Sequence, residues 1–139
     1  MKVVLDTNIL ISALIKAGKP RELVSRIAEG KVQLILSRNI LEEFLEVAED
    51  PRIRRYIDEN NVIAYLRVLG SVAKIVRVRS RFKVVKEDPD DDVILRTAKD
   101  GTAEYIVSGD KHLLSLGEFR GIKIVTANEM LKLLKEGKG

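Results

Sequence analysis

Short apolar runs alternate along the chain with segments in which apolar residues recur at helical spacing. A β-branched run opens the chain and ends at Asp6, and the segment after it has the helical period. The same succession returns after Gly30, where an apolar run is followed by Ser37, a favourable N-cap, and another helical pattern. The first half therefore predicts these elements: strands over residues 2–5 and 32–36, and helices over 9–15, 21–29 and from 37 onward.

The second half continues the alternation but contains one segment of a different kind. Residues 53–57 and 62–73 have a mostly helical pattern. Residues 75–85 alternate basic and apolar side chains, which predicts an extended arm or an edge strand. After this segment the pattern predicts the following elements: a helix opening in the acidic run 88–92 and stopped by Gly101, strands over 105–107 and 122–125, a short helix through 116, and a closing helix capped by Thr126.

Strands that alternate with helices indicate a parallel sheet covered on both faces. The expected fold class is therefore α/β, a three-layer α/β/α sandwich with a central, mainly parallel sheet, and we expect residues 1–139 to form a single domain. In such sheets, binding sites lie in the crevice at the carboxyl ends of the strands. Polar residues that directly follow the strands are therefore the first candidates for function.

Composition narrows the chemistry further. The chain has no Cys and one His, His112, which excludes disulfides, thiolate metal sites, cysteine nucleophiles and His-rich metal sites. Any metal must be held by oxygen ligands, which suit Mg²⁺ or Mn²⁺. The net charge of +4 is compatible with a polyanionic partner. Because no apolar stretch is long enough to span a membrane, we expect a cytoplasmic protein without membrane contact.

Four acids are placed where an α/β sheet would bind a ligand. Asp6 follows the first strand, Glu43 lies in the helix after the second, Asp91 begins the helix before strand 105–107, and Asp110 follows that strand. Each acid alone is as well explained as a helix cap or a surface residue. Helical geometry leaves Glu42 as an alternative to Glu43 and only modestly favours Glu43. Their joint placement indicates a shared crevice.

Four carboxylates in one crevice require a counter-charge. Two carboxylates 4 Å apart repel by about 4 kcal/mol at an effective dielectric constant near 20. A divalent cation turns this repulsion into ligation and lowers the pKa of a bound water enough to supply hydroxide near neutral pH. The chemistry that follows is attack on a phosphodiester.

The motifs around these acids resemble the PIN-domain family over essentially the whole chain. They are Asp6-Thr7-Asn8, Leu41-Glu42-Glu43-Phe44, Asp91-Asp92-Val93-Ile94-Leu95 with Ala98, and Ile106-Val107-Ser108-Gly109-Asp110-Lys111. The resemblance implies catalytic or metal-binding roles for Asp6, Glu43, Asp91 and Asp110, and accessory roles for Asn8, Ser108 and Asp92. The offset to Ala98 favours Asp91 within the acidic run, although a shift of one residue would substitute Asp90 or Asp92.

Within that family, the chain resembles in particular the VapC-like toxins of prokaryotic toxin–antitoxin systems. It implies a ribonuclease that depends on Mg²⁺ or Mn²⁺ and cuts RNA phosphodiester bonds. It also implies a small antitoxin protein as a partner and a homodimer. The sequence offers the apolar helix faces between residues 53 and 73 as a surface for dimerisation.

The basic side chains of residues 75–85 are candidates for RNA contact. Arg77, Arg79, Arg81 and Lys83 share one side of the segment and could bind phosphates, although a charged edge that prevents aggregation explains them equally well. Phe82, the aromatic residue of this segment, falls on its apolar side and is interpreted as a packing residue, so the pattern does not indicate base stacking. For His112 we expect a polar residue near the site entrance rather than a catalyst, because metal-dependent cleavage does not require it.

Two other functions fit parts of the pattern. A haloacid dehalogenase-type phosphatase also has an Asp after its first strand, but it needs a second Asp two residues later, where this chain has Asn8. A catalytically silent RNA- or protein-binding module with a PIN-like fold would keep the same elements. Cleavage of RNA in the presence of Mn²⁺ distinguishes the nuclease from both alternatives.

Overall fold

The computed structural model describes residues 1–86 and 88–136. The strands are β1 (Lys2–Leu5), β2 (Gln33–Ser37), β3 (Ala73–Val76), β4 (Tyr105–Val107), β5 (Glu118–Phe119) and β6 (Ile122–Val125). The helices are α1 (Thr7–Ile15), α2 (Lys19–Ala28), α3 (Arg38–Ala48), α4 (Pro51–Arg54), α5 (Glu59–Val72), α6 (Pro89–Asp100), α7 (Lys111–Leu116) and α8 (Ala127–Glu136). None of these helices is both long and apolar enough to cross a membrane.

All six strands form one sheet in the order β3-β2-β1-β4-β6-β5. Neighbouring strands are parallel except for β5, which pairs antiparallel with β6. Chain order reverses at β1, since β2 lies on one side of it and β4 on the other. The predicted mainly parallel α/β sheet flanked by helices is confirmed. The crevice expected at such a reversal lies at the carboxyl ends of β1 and β4.

Most residues of the central strands are apolar because helices cover both faces of the sheet, and polar side chains stand at strand ends, as at Lys2, Gln33 and Ser37. Val4, Leu34, Ile35 and Ile106 are fully buried. Helix α6 packs on β1, β2 and β4 and ends where its backbone comes close to β2. A Cβ on Gly101 would lie 2.5 Å from the Ile35 side chain, so only glycine fits there without displacement of the strand. The expected stop of the helix at this glycine is confirmed.

The local caps explain where several helices begin. Ser37 accepts a hydrogen bond from the backbone N–H of Ile40, as its position before the helical pattern predicted. Thr126 and Glu129 form a reciprocal cap, in which Thr126 Oγ1 accepts from the backbone of Glu129 and the Glu129 carboxylate accepts from the backbone of Thr126. The sequence did not reveal β5, which consists of only two residues in a tight hairpin with β6.

The alternating basic segment forms a strand only at its beginning. β3 pairs with β2, and residues 77–86, called the arm below, continue in extended form without strand pairing among the described residues. The arm's backbone is held instead by three side chains of α6, four residues apart and so on one face of the helix. Asp100 accepts from the backbone of residues 79 and 80, Arg96 donates to the carbonyl of residue 82, and Asp92 accepts from the backbone of residues 84 and 85.

The anchoring explains the alternation in the arm. Arg77, Arg79, Arg81 and Lys83 are exposed, whereas the residues between them are half-buried. At the centre, the ring of Phe82 lies 5.1 Å from that of Phe119, and the guanidinium of Arg120 lies 4.7 Å from the Phe82 centroid. The structure therefore shows the extended arm, with its cations facing solvent along its length.

Candidate active site

Asp6 and Ser108 directly follow the neighbouring strands β1 and β4. The backbone N–H of Asp6 donates to the carbonyl of Val107 at 3.0 Å, which extends the strand pairing to the first residue of the site. The hydroxyl of Ser108 donates to Asp6 Oδ2 at 2.7 Å. The same Ser108 oxygen accepts from the backbone N–H of Asp110 at 2.9 Å. Ser108 therefore connects the two acids that the sequence placed after separate strands.

Asp6 precedes α1 but does not cap it. Its side chain makes no capping hydrogen bond to the helix, and it is 6% exposed. Burial raises the pKa of the Asp6 carboxyl, and the hydrogen bond from Ser108 opposes this rise. The interpretation of Asp6 as an ordinary helix cap therefore lacks its defining contact.

Asp91 is the member of the acidic run that lies beside Asp110. It is 4% exposed, and its Oδ2 has no hydrogen-bond partner among the described residues. Burial raises the pKa of Asp91 to about 7, with a further contribution from the negative charges of Asp110, Asp88 and Asp6. Leaving a buried polar atom unpaired costs about 1–3 kcal/mol, and more when the group is charged. A positively charged partner would satisfy this oxygen and offset the neighbouring negative charges.

Asp110 serves α7 and the site at once. Its Oδ1 accepts from the backbone N–H groups of His112 and Leu113 at 2.7 and 3.3 Å, so the capping role considered for Asp110 is present. One oxygen of Asp110, one oxygen of Asp91 and one ring nitrogen of His112 all lie within 4.8 Å of one another. From the sequence, His112 was expected to be a polar residue near the site entrance. Its position two residues after Asp110 indicated that its side chain could reach the site.

Glu43 reaches the same region from α3. Its Oε2 accepts from the hydroxyl of Thr7 at 3.0 Å. Burial raises the pKa of Glu43, the bond from Thr7 opposes the rise, and the nearby charges of Asp90, Asp6 and Asp88 add to it. Glu42, the alternative in the sequence, lies at the surface and pairs with Arg38 at 3.1 Å. Thr7 was not singled out from the sequence, yet it is 1% exposed and orients Glu43.

The three suggested accessory residues differ in where the structure places them. The structure does not bring Asp92 into the group around Asp91, because its Oδ1 accepts from the backbone of Val84 and Val85 in the arm, at 2.9 Å each. Asn8 is exposed. Ser108, the third accessory residue, is fully buried between Asp6 and Asp110.

The donor set fits a divalent cation. Asp91 and Asp110 supply carboxylate oxygens, and one of those oxygens is buried without a partner. Asp6 and Glu43 lie outside this closest group, but the negative charge of Asp6 acts on both Asp91 and Glu43. Hard divalent cations bind such oxygens and would offset the repulsion among the acids.

Comparisons with known proteins agree with this arrangement. A family model described as PIN domain matches residues 2–112, a range that contains all four acids and His112. The chain is also similar to an uncharacterized protein of Methanocaldococcus jannaschii, with 36% identity over 118 residues that cover 84% of this chain and 75% of the relative.

The raised pKa of Asp91 predicts a loss of stability with rising pH in metal-free protein. The unfolded chain releases this proton near 3.8, whereas the folded protein holds it to about 7, so the native state binds more protons between these values. The free energy of unfolding then falls as the pH rises through that range. We expect Asp91→Asn to reduce the fall and to be about 1–3 kcal/mol more stable than the parent at pH 7.5 with chelator.

Urea unfolding at pH 5 and pH 7.5 measures this difference. Asp90→Asn changes an exposed neighbour in the same helical turn and should keep the pH dependence of the parent. If the unfolding free energy of Asp91→Asn falls by as much as that of the parent, Asp91 is not the group responsible.

Proposed function

This chain belongs to the PIN-domain family, and from that membership we propose that it is a ribonuclease dependent on Mg²⁺ or Mn²⁺. PIN domains are generally nucleases. The observation that carries the proposal is the convergence of Asp6, Asp91 and Asp110 at the carboxyl ends of β1 and β4, with a buried Asp91 oxygen that has no partner among the described residues. A structural role alone does not account for that oxygen.

The chain's own residues would hold and orient the reacting groups. Asp91 and Asp110 would bind the cation, while Ser108 fixes the Asp6 carboxylate and Thr7 fixes that of Glu43. The cation, when bound, supplies Lewis-acid stabilisation to a phosphodiester attacked by water. Asp6 and Glu43 are thus oriented by hydroxyl groups and Asp110 by backbone N–H groups, and Asp91 lies next to Asp110. Little reorganisation of these side chains is needed when a cation binds.

The arm supplies a surface for the RNA backbone. Its anchoring to α6 holds Arg77, Arg79, Arg81 and Lys83 in a row of exposed cations along the arm. The row ends beside Asp92, next in sequence to Asp91. An RNA strand whose phosphates follow the row would therefore be directed towards the end of α6 that carries the site.

A second copy of the chain is the proposed occupant of an apolar groove between α3 and α5. The groove is lined by the apolar residues Leu45, Ala48, Val62, Ile63 and Leu66 and, around them, by the charged residues Glu49, Arg54 and Glu59. Leu45 and Ile63 are each 42% exposed. Both helices border the face between residues 53 and 73 that the sequence suggested for dimerisation. A self-complementary apolar patch of this kind suits a two-fold dimer.

The finer proposal of a toxin depends on the family resemblance. In that reading, a small antitoxin protein binds the nuclease and suppresses cleavage in the cell. A short neighbouring reading frame whose product abolishes RNA cleavage by this chain would support the toxin role.

The acids should act as one unit in cleavage. We expect Asp6→Asn, Glu43→Gln, Asp91→Asn and Asp110→Asn each to lower the rate by about 100-fold or more, because loss of a hydrogen bond that only orients a metal ligand typically costs about 10–100-fold. Ser108→Ala should fall within that smaller range. Cleavage of total RNA with saturating Mn²⁺, with mapped cut sites, measures the effect.

Glu42→Gln and Asp90→Asn are the matched controls, since each removes one negative charge from an exposed neighbour. Both should keep most of the activity. Parent-rate cleavage by Asp6→Asn, in a preparation free of contaminating nuclease, would falsify the proposed function. Folded parent protein that binds Mn²⁺ and cleaves no RNA would favour the catalytically silent module.

The arm predicts a change in the salt dependence of RNA binding. Each phosphate contact to a single strand contributes about 0.7 to the slope of log affinity against log salt, so replacing Arg79 and Arg81 with Ala should lower the slope by about 1.4. Binding is measured with Asp6→Asn as background to prevent cleavage. Removing Lys132 and Lys135, exposed on α8, changes the net charge equally and should leave the slope unchanged. An unchanged slope in the arm variant would return the arm to a purely structural role.

Light scattering tests the proposed dimer. The parent should have the mass of two chains at micromolar concentration, and Ile63→Glu should have the mass of one, because it places a charge in the apolar groove. Ile75→Glu changes an isoleucine that is 51% exposed on β3 and should remain dimeric. A parent with the mass of one chain across the whole concentration range rules the dimer out.

A further inference from the structure

His112 faces the two acids that form the centre of the candidate site. It is the second residue of α7, and its backbone N–H donates to Asp110 Oδ1 at 2.7 Å. This capping hydrogen bond fixes the backbone position from which the imidazole side chain extends. Its Nδ1 lies 3.6 Å from the same Asp110 oxygen. The imidazole is thus placed by the short helix and not by an independent loop.

The ring nitrogen is close enough to share a metal ion with the acids. One nitrogen of His112 and one oxygen each of Asp91 and Asp110 lie within 4.8 Å of one another. Ligands of an octahedral ion with bonds of about 2.1 Å are separated by about 3–4 Å, so small side-chain rotations bring the three groups to ligand distance. The buried Asp91 Oδ2, which has no hydrogen-bond partner among the described residues, is an independent sign that this space takes a cation.

An imidazole ligand changes which cation the site prefers. Carboxylate and water ligands suit Mg²⁺ and Mn²⁺ alike, whereas an imidazole nitrogen favours first-row transition ions. Mg²⁺ dehydrates reluctantly and is held mainly by oxygen. A site with two carboxylates and one imidazole therefore discriminates against Mg²⁺ more than a site with carboxylates alone.

We propose that His112 is a metal ligand and that it makes this site select Mn²⁺ or another first-row transition ion over Mg²⁺. This inference rests on the proposed function, since it assumes that a cation binds at the acids. It adds a nitrogen donor to a ligand set that the composition predicted to be entirely oxygen. A second explanation of the geometry is an ion pair in which a protonated ring only balances the charge of Asp110. The two explanations predict opposite effects when the ring is removed.

Metal binding separates the two explanations without a cleavage assay. Untagged, metal-free protein is titrated calorimetrically with MnCl₂ and with MgCl₂, for the parent and for His112→Ala. As a ligand, His112 should contribute at least about 10-fold to Mn²⁺ affinity, and its removal should change Mg²⁺ affinity by less than about 3-fold. As a paired cation, its removal should leave both affinities equal to or higher than those of the parent, which would overturn the proposal.

Pulsed electron paramagnetic resonance of the Mn²⁺-loaded parent gives a direct readout. The chain has one His, so an imidazole nitrogen coupling to Mn²⁺ in untagged protein comes from His112. We expect that coupling in the parent and in Lys111→Ala, an exposed neighbour, and its loss in His112→Ala. Mn²⁺ bound without nitrogen coupling overturns the inference while the acidic site stands. Nitrogen coupling in a protein that cleaves no RNA supports His112 as a ligand and contradicts the proposed function instead.

Discussion

Asp6 and Ser108 leave two neighbouring parallel strands at the same level, and the 2.7 Å hydrogen bond between them ties the site to the sheet. Parallel pairing of β1 with β4 brings these residues together from positions 102 apart in sequence. Ser108 then orients the backbone of Asp110, and Asp110 in turn caps the helix that carries His112. The geometry of the candidate site therefore follows from strand register. A shift of one residue in β4 would turn Ser108 away from Asp6, because successive side chains in a strand point to opposite faces.

Different faces of helix α6 contribute to the candidate active site and hold the arm. Asp91 lies buried near Asp110, while the next residue, Asp92, begins a row with Arg96 and Asp100 that holds the backbone of the arm. Consecutive helical residues differ in direction by about 100°, so adjacent acids can serve separate partners. The distance between the row of cations and the acids is thus fixed by one rigid helix and not by a loop. In the proposed nuclease, the same element would position the RNA backbone and the metal site.

The sequence predicted the sheet well because burial on both faces leaves continuous apolar runs, as at residues 105–107 and 122–125. It also singled out four acids as candidates, because the pattern locates the ends of the strands that Asp6 and Asp110 follow. Side-chain contacts between residues that are distant in the sequence could not be predicted in the same way. The alternation in residues 75–85 is the same for a strand and for an arm held by Asp92, Arg96 and Asp100. Thr7 was not singled out because nothing in the sequence indicates which residue a buried threonine at the start of a helix contacts. The position of His112 beside the acids was not predicted because the acids alone accounted for a metal site.

The buried acids of the site lower the stability of the folded, metal-free protein. Asp6 and Asp91 are nearly as buried as the core, and the pKa of each is raised, so the metal-free protein bears the cost of charges that it only partly satisfies. The apolar sheet beneath them offsets this cost, since Leu5, Ile106 and Val107 are fully buried directly below the acids. Binding of a cation to the folded state alone would add stability in proportion to the logarithm of its concentration. Mutations that neutralise the acids should therefore be selected against for their effect on metal binding and not for their effect on folding, which is the relation expected of a functional site and not of a structural one.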